Sequence, residues 1–145
     1  MIEGIFLLNR YGNLRFTKIY AEEENNLDRD ALTKRIYTVI VDTKNINIIL
    51  DFEFLGINRK LVFKTFGSTF LALILDDSEN ELAIMDFISV IMSCFDEIFK
   101  GVCEVDLIMN PEKIYFMMDE MISGGIVIET NKEEIIKNYN EKMKD

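Results

Sequence analysis

The chain has 145 residues, 49% of them hydrophobic and 29% charged, and 16 Lys and Arg stand against 26 Asp and Glu for a net charge of −10. That length suits one domain built on one hydrophobic core, and the charged fraction excludes an integral membrane protein. So acidic a surface repels phosphate backbones and anionic lipid headgroups, which disfavours nucleic acid as a partner and leaves any membrane association to a partner protein.

"IEGIFLLN" (Ile2 to Asn9) reads as a buried strand, "RYGN" as a turn and "LRFTKIY" as a second strand, together a hairpin. The polar "AEEENNLDRD" follows, with Asn26 or Asp28 placed to cap a helix. Leu32, Ile36, Val39 and Ile40 recur at helical spacing, which predicts an amphipathic helix over about Arg29 to Val41. Ile46, Ile48, Leu50, Phe52 and Phe54 then alternate with their neighbours, the period-two signature of a strand. "LGIN" (Leu55 to Asn58) turns the chain, "RKLVFKTF" forms the next strand, and Gly67-Ser68 turns it again. "TFLALILD" is apolar on both faces, as a central strand covered twice has to be.

The strongest helical pattern lies in "DSENELAIMDFISVIMSCFDEIF", where Ser78 with Glu81 three residues later predicts a capping box. Asp86, Ser89, Ser93 and Asp96 make one narrow polar stripe on it; apolar residues such as Ile84, Phe87, Ile91 and Cys94 cover most of the rest. Such a helix has to be covered on two sides. Asn110 is expected to cap another helix with Pro111 at its first position, Ile114, Met117, Met118, Met121 and Ile122 as its apolar stripe, and Gly124-Gly125 as its stop. "IVIET" is short and apolar; Asn131 starts a last helix, whose tail from about residue 138 is expected to fray. No repeat, linker or low-complexity tract divides the sequence, so residues 1–145 are expected to form a single domain. The order ββαβββα, then helices, predicts an α/β fold of the α+β kind: a five-stranded, mainly antiparallel sheet with helices on both faces.

Chemistry is limited by what is missing. The chain has no histidine, which removes Ser-His-Asp and Cys-His nucleophile pairs, His-based zinc sites and the usual general base near neutral pH. Its two cysteines, Cys94 and Cys103, are too few for a four-thiolate zinc site and too far apart for a redox CxxC, so they read as buried structural thiols. Glu104 with Asp106, and Asp119 with Glu120, are conceivable acid–base pairs, but solvated charge or helix capping is the better reading of each. "SGGIV" fits neither phosphate-cradling glycine motif. No enzyme, metal or cofactor is expected. The longest apolar runs, "FLALIL" and "FISVIM", fall far short of the roughly 20 residues a bilayer helix needs. The opening "MIEGIFLLNRYG" lacks the features of a signal peptide, so the expected compartment is the cytoplasm. The surplus of Leu, Ile, Phe and Met over the needs of one small core points to an obligate assembly.

Four blocks, "LLNRYGNLRFTKIY", "DDSENELAIMDF", "GVCEVDLIMNPEKIYFMMDEM" and "GGIVIETN", stand in an order and at a spacing that resemble the small (sigma) subunit of heterotetrameric clathrin-adaptor-type complexes, a longin-like fold. The resemblance runs from Met1 to about Ile135. The zeta subunit of the COPI coat shares that fold and a similar glycine pair, and it is the alternative: a structural subunit without a cargo site. The adaptor resemblance implies a non-catalytic protein that stabilises the core of a complex and takes part in vesicle-mediated protein transport. Its implied partners are the large and medium subunits of the complex and the cytosolic tails of membrane cargo, with membrane contact only through the complex. The implied location is the cytoplasmic face of coated vesicles, Golgi, endosomes or plasma membrane. Together with a large chain, such subunits recognise acidic dileucine sorting signals. Residue by residue, the resemblance implies that Arg15 pairs with the signal's acidic residue. Gly67, Thr69, Met92, Val102 and Leu107 match positions lining the leucine pocket, with Gly101 beside them. Thr69 is polar where an apolar residue would suit such a pocket, Met92 is bulkier than a β-branched residue, and Gly101 supplies no side chain there.

Overall fold

The structure, a computed structural model, describes residues 1–21, 27–43, 47–100 and 104–144, with backbone alone for residues 49, 50, 104, 105 and 107. Five strands, β1 (Ile2–Asn9), β2 (Leu14–Ile19), β3 (Ile48–Phe54), β4 (Ile57–Phe66) and β5 (Thr69–Leu75), form an antiparallel sheet in the order β2-β1-β5-β4-β3. The strand apolar on both faces, β5, is the central one, as its sequence demands. Helix α1 (Arg29–Asp42) covers one face; α2 (Glu81–Phe99), α4 (Pro111–Met121) and α5 (Lys132–Met143) cover the other.

Strand alternation sorts the core into two layers. Ile5, Leu7, Val62, Leu71, Leu73 and Leu75 pack with Phe87, Ile91 and Phe95 of α2 and with Met117 and Met121 of α4. Phe6, Leu8, Leu61, Phe63, Ala72 and Ile74 pack with Leu32, Ile36 and Ile40 of α1. Each buried side chain contributes roughly 1.5–3 kcal/mol, so two complete layers hold the sheet from both sides. Asn80 and Asn131 cap α2 and α5 through their side chains, and Asp28 caps α1 by accepting from the Ala31 amide. Asn26, the other candidate cap, lies outside the described residues, as does Ile46.

Four local expectations are corrected. Ser78 does not cap α2: Asn80 accepts from the amides of Leu82 and Ala83, while Ser78 bonds Asp76 and the Met1 amine, and Glu81 pairs with Lys60 at 2.9 Å. Asn110 stands at the cap position of α4, but its side chain donates backwards to the Asp106 carbonyl rather than accepting from the helix. Gly124-Gly125 does not end α4, which stops at Met121; both glycines have positive φ, +57° and +87°, and turn a hairpin between β6 (Ile122–Ser123) and β7 (Ile126–Val127). The amide of Ile2 donates to Gly125, tying that hairpin to the first strand of the sheet.

The fourth correction concerns β3. Simple alternation places Ile48 on the same face as Phe52 and Phe54, yet Ile48 packs against the α2-side layer and the two phenylalanines against the α1 side. The ladder slips between Ile49 and Phe52, and Asp51 sits at φ +59°. A bulge with one extra residue reverses every side chain beyond it. Helix α5 continues through Met143, with Tyr139 buried against the core.

Candidate functional site

Of the residues expected to meet a sorting signal, Arg15, Gly67 and Thr69 lie at the end of the sheet formed by the β1–β2 and β4–β5 turns. Leu7 pairs with Phe16 on one side and Leu71 on the other, and Leu71 pairs with Lys64, so these four residues form one row across β2, β1, β5 and β4. The adjoining row runs Leu14, Leu8, Phe70, Thr65. Arg15 falls between the two rows on β2. It is the extra residue of a bulge, because the partner of Leu7 is Phe16 whereas the partner of Leu8 is Leu14. In consequence Phe16 packs on the α2 side and Leu14 on the α1 side although they are only two positions apart. Bulges re-aim side chains and recur beside functional sites. Arg15 is half-buried and engaged in an interaction with its surroundings. Phe16 is held edge-on by Tyr115 of α4, with ring centroids 4.9 Å apart, and this contact fixes the strand immediately beside Arg15.

On β4, three strand spacings from Arg15, a cleft of about 260 Å³ opens between that strand and α2. Phe66 and Met92 supply its apolar lining, and Lys64, Thr65, Ser89, Ser93 and Asp96 its polar lining. Lys64 Nζ donates to Ser89 Oγ at 2.6 Å and bridges strand and helix. Met92 is buried, so its bulk belongs to the wall and does not project into solvent. Gly67 is the first turn residue of the β4–β5 hairpin at φ +57°, with open space around it. Thr69 is buried, and its hydroxyl donates to the Phe66 carbonyl at 2.7 Å. Its polarity is therefore satisfied by the hairpin itself and adds no unpaired polar group to the apolar lining.

The structure thus places Gly67, Thr69 and Met92 around one hairpin and one helix turn, with Arg15 at the same level of the sheet. Gly101 and Val102 lie outside the described residues; Leu107 lies in the short helix α3 (Glu104–Met109), and its side chain is not described. Lys64, Ser89, Ser93 and Asp96 were absent from the sequence-derived site. Their signal was the polar stripe on an otherwise apolar helix: residues 89, 93 and 96 of that stripe face the cleft.

One of the two candidate acid–base pairs divides between separate partners. Asp119 pairs with Lys18 at 2.8 Å and Glu120 with Lys142 at 2.6 Å, so these neighbours turn to different cations. Asp106 sits in α3, and the Glu104 side chain is not described. Cys94 is completely buried, and burial pushes its thiol up to about 11, which fits an inert packing residue. Cys103 lies outside the described residues. Among the described residues no group of acidic or sulfur side chains is arranged to hold a metal, and no helix is long and apolar enough to cross a membrane.

Known proteins share this chain's sequence pattern and fold. Residues 1–145 match the family described as clathrin adaptor complex small chain. Among relatives, the AP-3 complex subunit sigma of Arabidopsis thaliana is 33% identical, with 99% of this chain and 87% of that protein aligned. The human AP-3 complex subunit sigma-2 is 30% identical over 94% of this chain and 72% of its own length, and mouse AP-1 complex subunit sigma-3 is 33% identical over 94% and 86%. In structure, a chain of a homology model of the full-length AP-3 complex in a stretched open conformation superposes with a TM-score of 0.73 at 25% identity, covering 99% of this chain and 94% of that one. Sigma subunits of these complexes are structural trafficking proteins, not enzymes. The sandwiched sheet and the match over residues 1–145 converge on one assignment: this chain belongs to the clathrin adaptor complex small-chain family.

Proposed function

We propose that the chain acts as one unit, the sigma subunit of an AP-3- or AP-1-type adaptor complex in vesicle-mediated transport, and that with a large subunit it recognises acidic dileucine signals on cargo tails. In this role it works at the cytoplasmic surface of Golgi, endosomal, plasma-membrane or coated-vesicle membranes, held there by the complex. The observation that carries the reading is the level placement of Arg15 and the β4–α2 cleft. Three strand spacings separate them, about 14 Å, and four extended residues span about 13 Å. A peptide with an acidic residue four positions ahead of a leucine can then reach both at once. The guanidinium supplies a charge-assisted bond to the carboxylate, and Phe66 and Met92 supply the apolar contact.

Burying two leucine side chains is worth roughly 3–6 kcal/mol gross. Association consumes much of that, so single signals bind modestly and capture depends on clustered cargo. The test is co-expression with the two large chains and the medium chain of an AP-3 complex, followed by titration with a fluorescent acidic dileucine peptide. Co-purification and saturable binding support the reading. Recovery with coatomer chains instead, or an assembled complex that ignores the peptide, overturns it.

A further inference from the structure

The cleft carries opposite charges at its two ends. At one end Lys64 bonds only the Ser89 hydroxyl and has no carboxylate partner among the described residues. At the other, Asp96 has no cationic partner among them. Some surface charges elsewhere are matched, as Lys60 is by Glu81, Lys18 by Asp119, Lys142 by Glu120 and Arg59 by Glu3. Lys64 and Asp96 thus face one partly apolar cleft from its two ends, with their charges unmatched among the described residues. Ser89 and Asp96 are seven positions apart on α2, about 10.5 Å along the axis at 1.5 Å per residue. Three residues of an extended peptide cover about 10 Å. Between the charged ends lie Met92 and Phe66, the apolar part of the lining, with the Ser93 hydroxyl beside them.

We infer that this cleft selects dileucine segments bracketed by charge, with an acidic residue directly before the leucine pair, facing Lys64, and a basic residue directly after it, facing Asp96. The inference rests on the signal-binding reading above and adds to it a second selection, separate from the acid that Arg15 meets. Its physical basis is complementarity. Each exposed ion pair is weak alone, but reversing the flanking order replaces two attractions by two repulsions within one segment. A matched segment fits both ends of the cleft; a reversed one fits neither.

The experiment uses the assembled complex and three fluorescent peptides, read by anisotropy at low and high salt. The matched peptide contains Asp-Ser-Ser-Glu-Leu-Leu-Arg, the reversed one Asp-Ser-Ser-Arg-Leu-Leu-Glu, and the neutral one Asp-Ser-Ser-Ser-Leu-Leu-Ser. The matched peptide is expected to bind about tenfold tighter than the reversed one at low salt, with the difference shrinking as salt rises. The double variant Lys64→Glu, Asp96→Lys is expected to invert the preference while still co-purifying with its partners. Asp96→Asn, which leaves the Lys64–Ser89 bridge in place, is expected to reduce the preference without inverting it. Equal affinity for the matched and reversed peptides, or a preference indifferent to both variants, overturns the inference. If the neutral peptide binds and Arg15→Glu abolishes that binding, the signal-binding reading stands even where the charge selection fails. If no peptide binds, both fall.

Discussion

Gly12 lies flat against the ring of Tyr37. It sits at φ +89°, and a Cβ there would stand 2.7 Å from two carbons of that ring. The Tyr37 hydroxyl closes the contact by donating to the Arg10 carbonyl at 2.8 Å, so α1 clamps the β1–β2 turn that leads into Arg15. Gly12→Ala combines an unfavourable backbone with a steric conflict, and is expected to cost about 1–3 kcal/mol. Tyr37→Phe removes only the hydrogen bond and is expected to cost about 0.5–1.5 kcal/mol. Thermal unfolding at micromolar concentration reads both, at about 2–8 °C per kcal/mol for domains spanning this size. Equal midpoints for Gly12→Ala and the parent chain would remove the clamp.

Glu3 and Arg59 meet at 2.6 Å with side chains only 13% and 18% exposed, joining β1 to β4 across the central strand. The hydrogen bond to Glu3 holds the Arg59 guanidinium above its already high range. Arg59→Met leaves the carboxylate half-buried without its cation, and is expected to destabilise by about 1–3 kcal/mol. Glu3→Gln with Arg59→Met removes both charges and should recover part of that loss. A double-mutant cycle without coupling would show the pair to be energetically idle.

A pH dependence follows from Asp76. Burial pushes its carboxyl up, but hydrogen bonds from the Met1 amine and from the Ser78 hydroxyl and amide outweigh this and leave it below the ordinary value of 3.8. A carboxyl depressed in the folded state stabilises above its unfolded value, and that stability is lost as pH falls through the folded one. Asp76→Asn is therefore expected to flatten the loss of stability below about pH 4. Acid titration of both chains by circular dichroism measures it; parallel curves would contradict it.

Much of the architecture was legible because burial is periodic. β1 begins and ends where its apolar run does, and α1 and α2 follow their helical spacing. What escaped were local choices among equivalent groups. Ser78 and Asn80 can both cap α2, and Ser78 is drawn away by Asp76, two positions before it, and by the Met1 amine, 77 positions away, a contact that no local pattern reveals. The β3 bulge at Asp51 interrupts an alternation that the sequence continues unbroken. At the candidate site, Arg15 is distinguishable only through the resemblance, since its bulge depends on the pairing register of β1. The polar stripe of α2 was visible, but that it faces a cleft depends on where β4 packs.

Cys94 is expected to be inert. It is fully buried at the middle of the α2 layer, and its thiol is raised to about 11, so almost no thiolate exists at neutral pH. In a Cys103→Ser chain, a thiol-specific reagent should label no cysteine while the protein is folded and one after denaturation. Rapid labelling of the folded chain would mean that the α2 layer opens readily.

Arg15→Glu reverses the one charge that the signal-binding reading requires, at a half-buried position on a bulge outside both core layers. It is expected to weaken an acidic dileucine peptide at least tenfold in the assembled complex, as an attraction becomes a repulsion. Assembly itself should persist. The expectation rests on other exposed apolar side chains being available for assembly: Leu82, Met109, Ile126 and Ile128 are large and more than half exposed in the isolated chain. An apolar surface of that kind favours association, so the chain made alone is expected to aggregate as its concentration rises, and co-expression with the large subunits to rescue it. Arg15→Glu should be rescued equally well, and only its peptide binding should be lost. A variant that fails to co-purify would instead place Arg15 in the assembly interface, and unchanged peptide affinity in a complex that does form would remove it from the signal site.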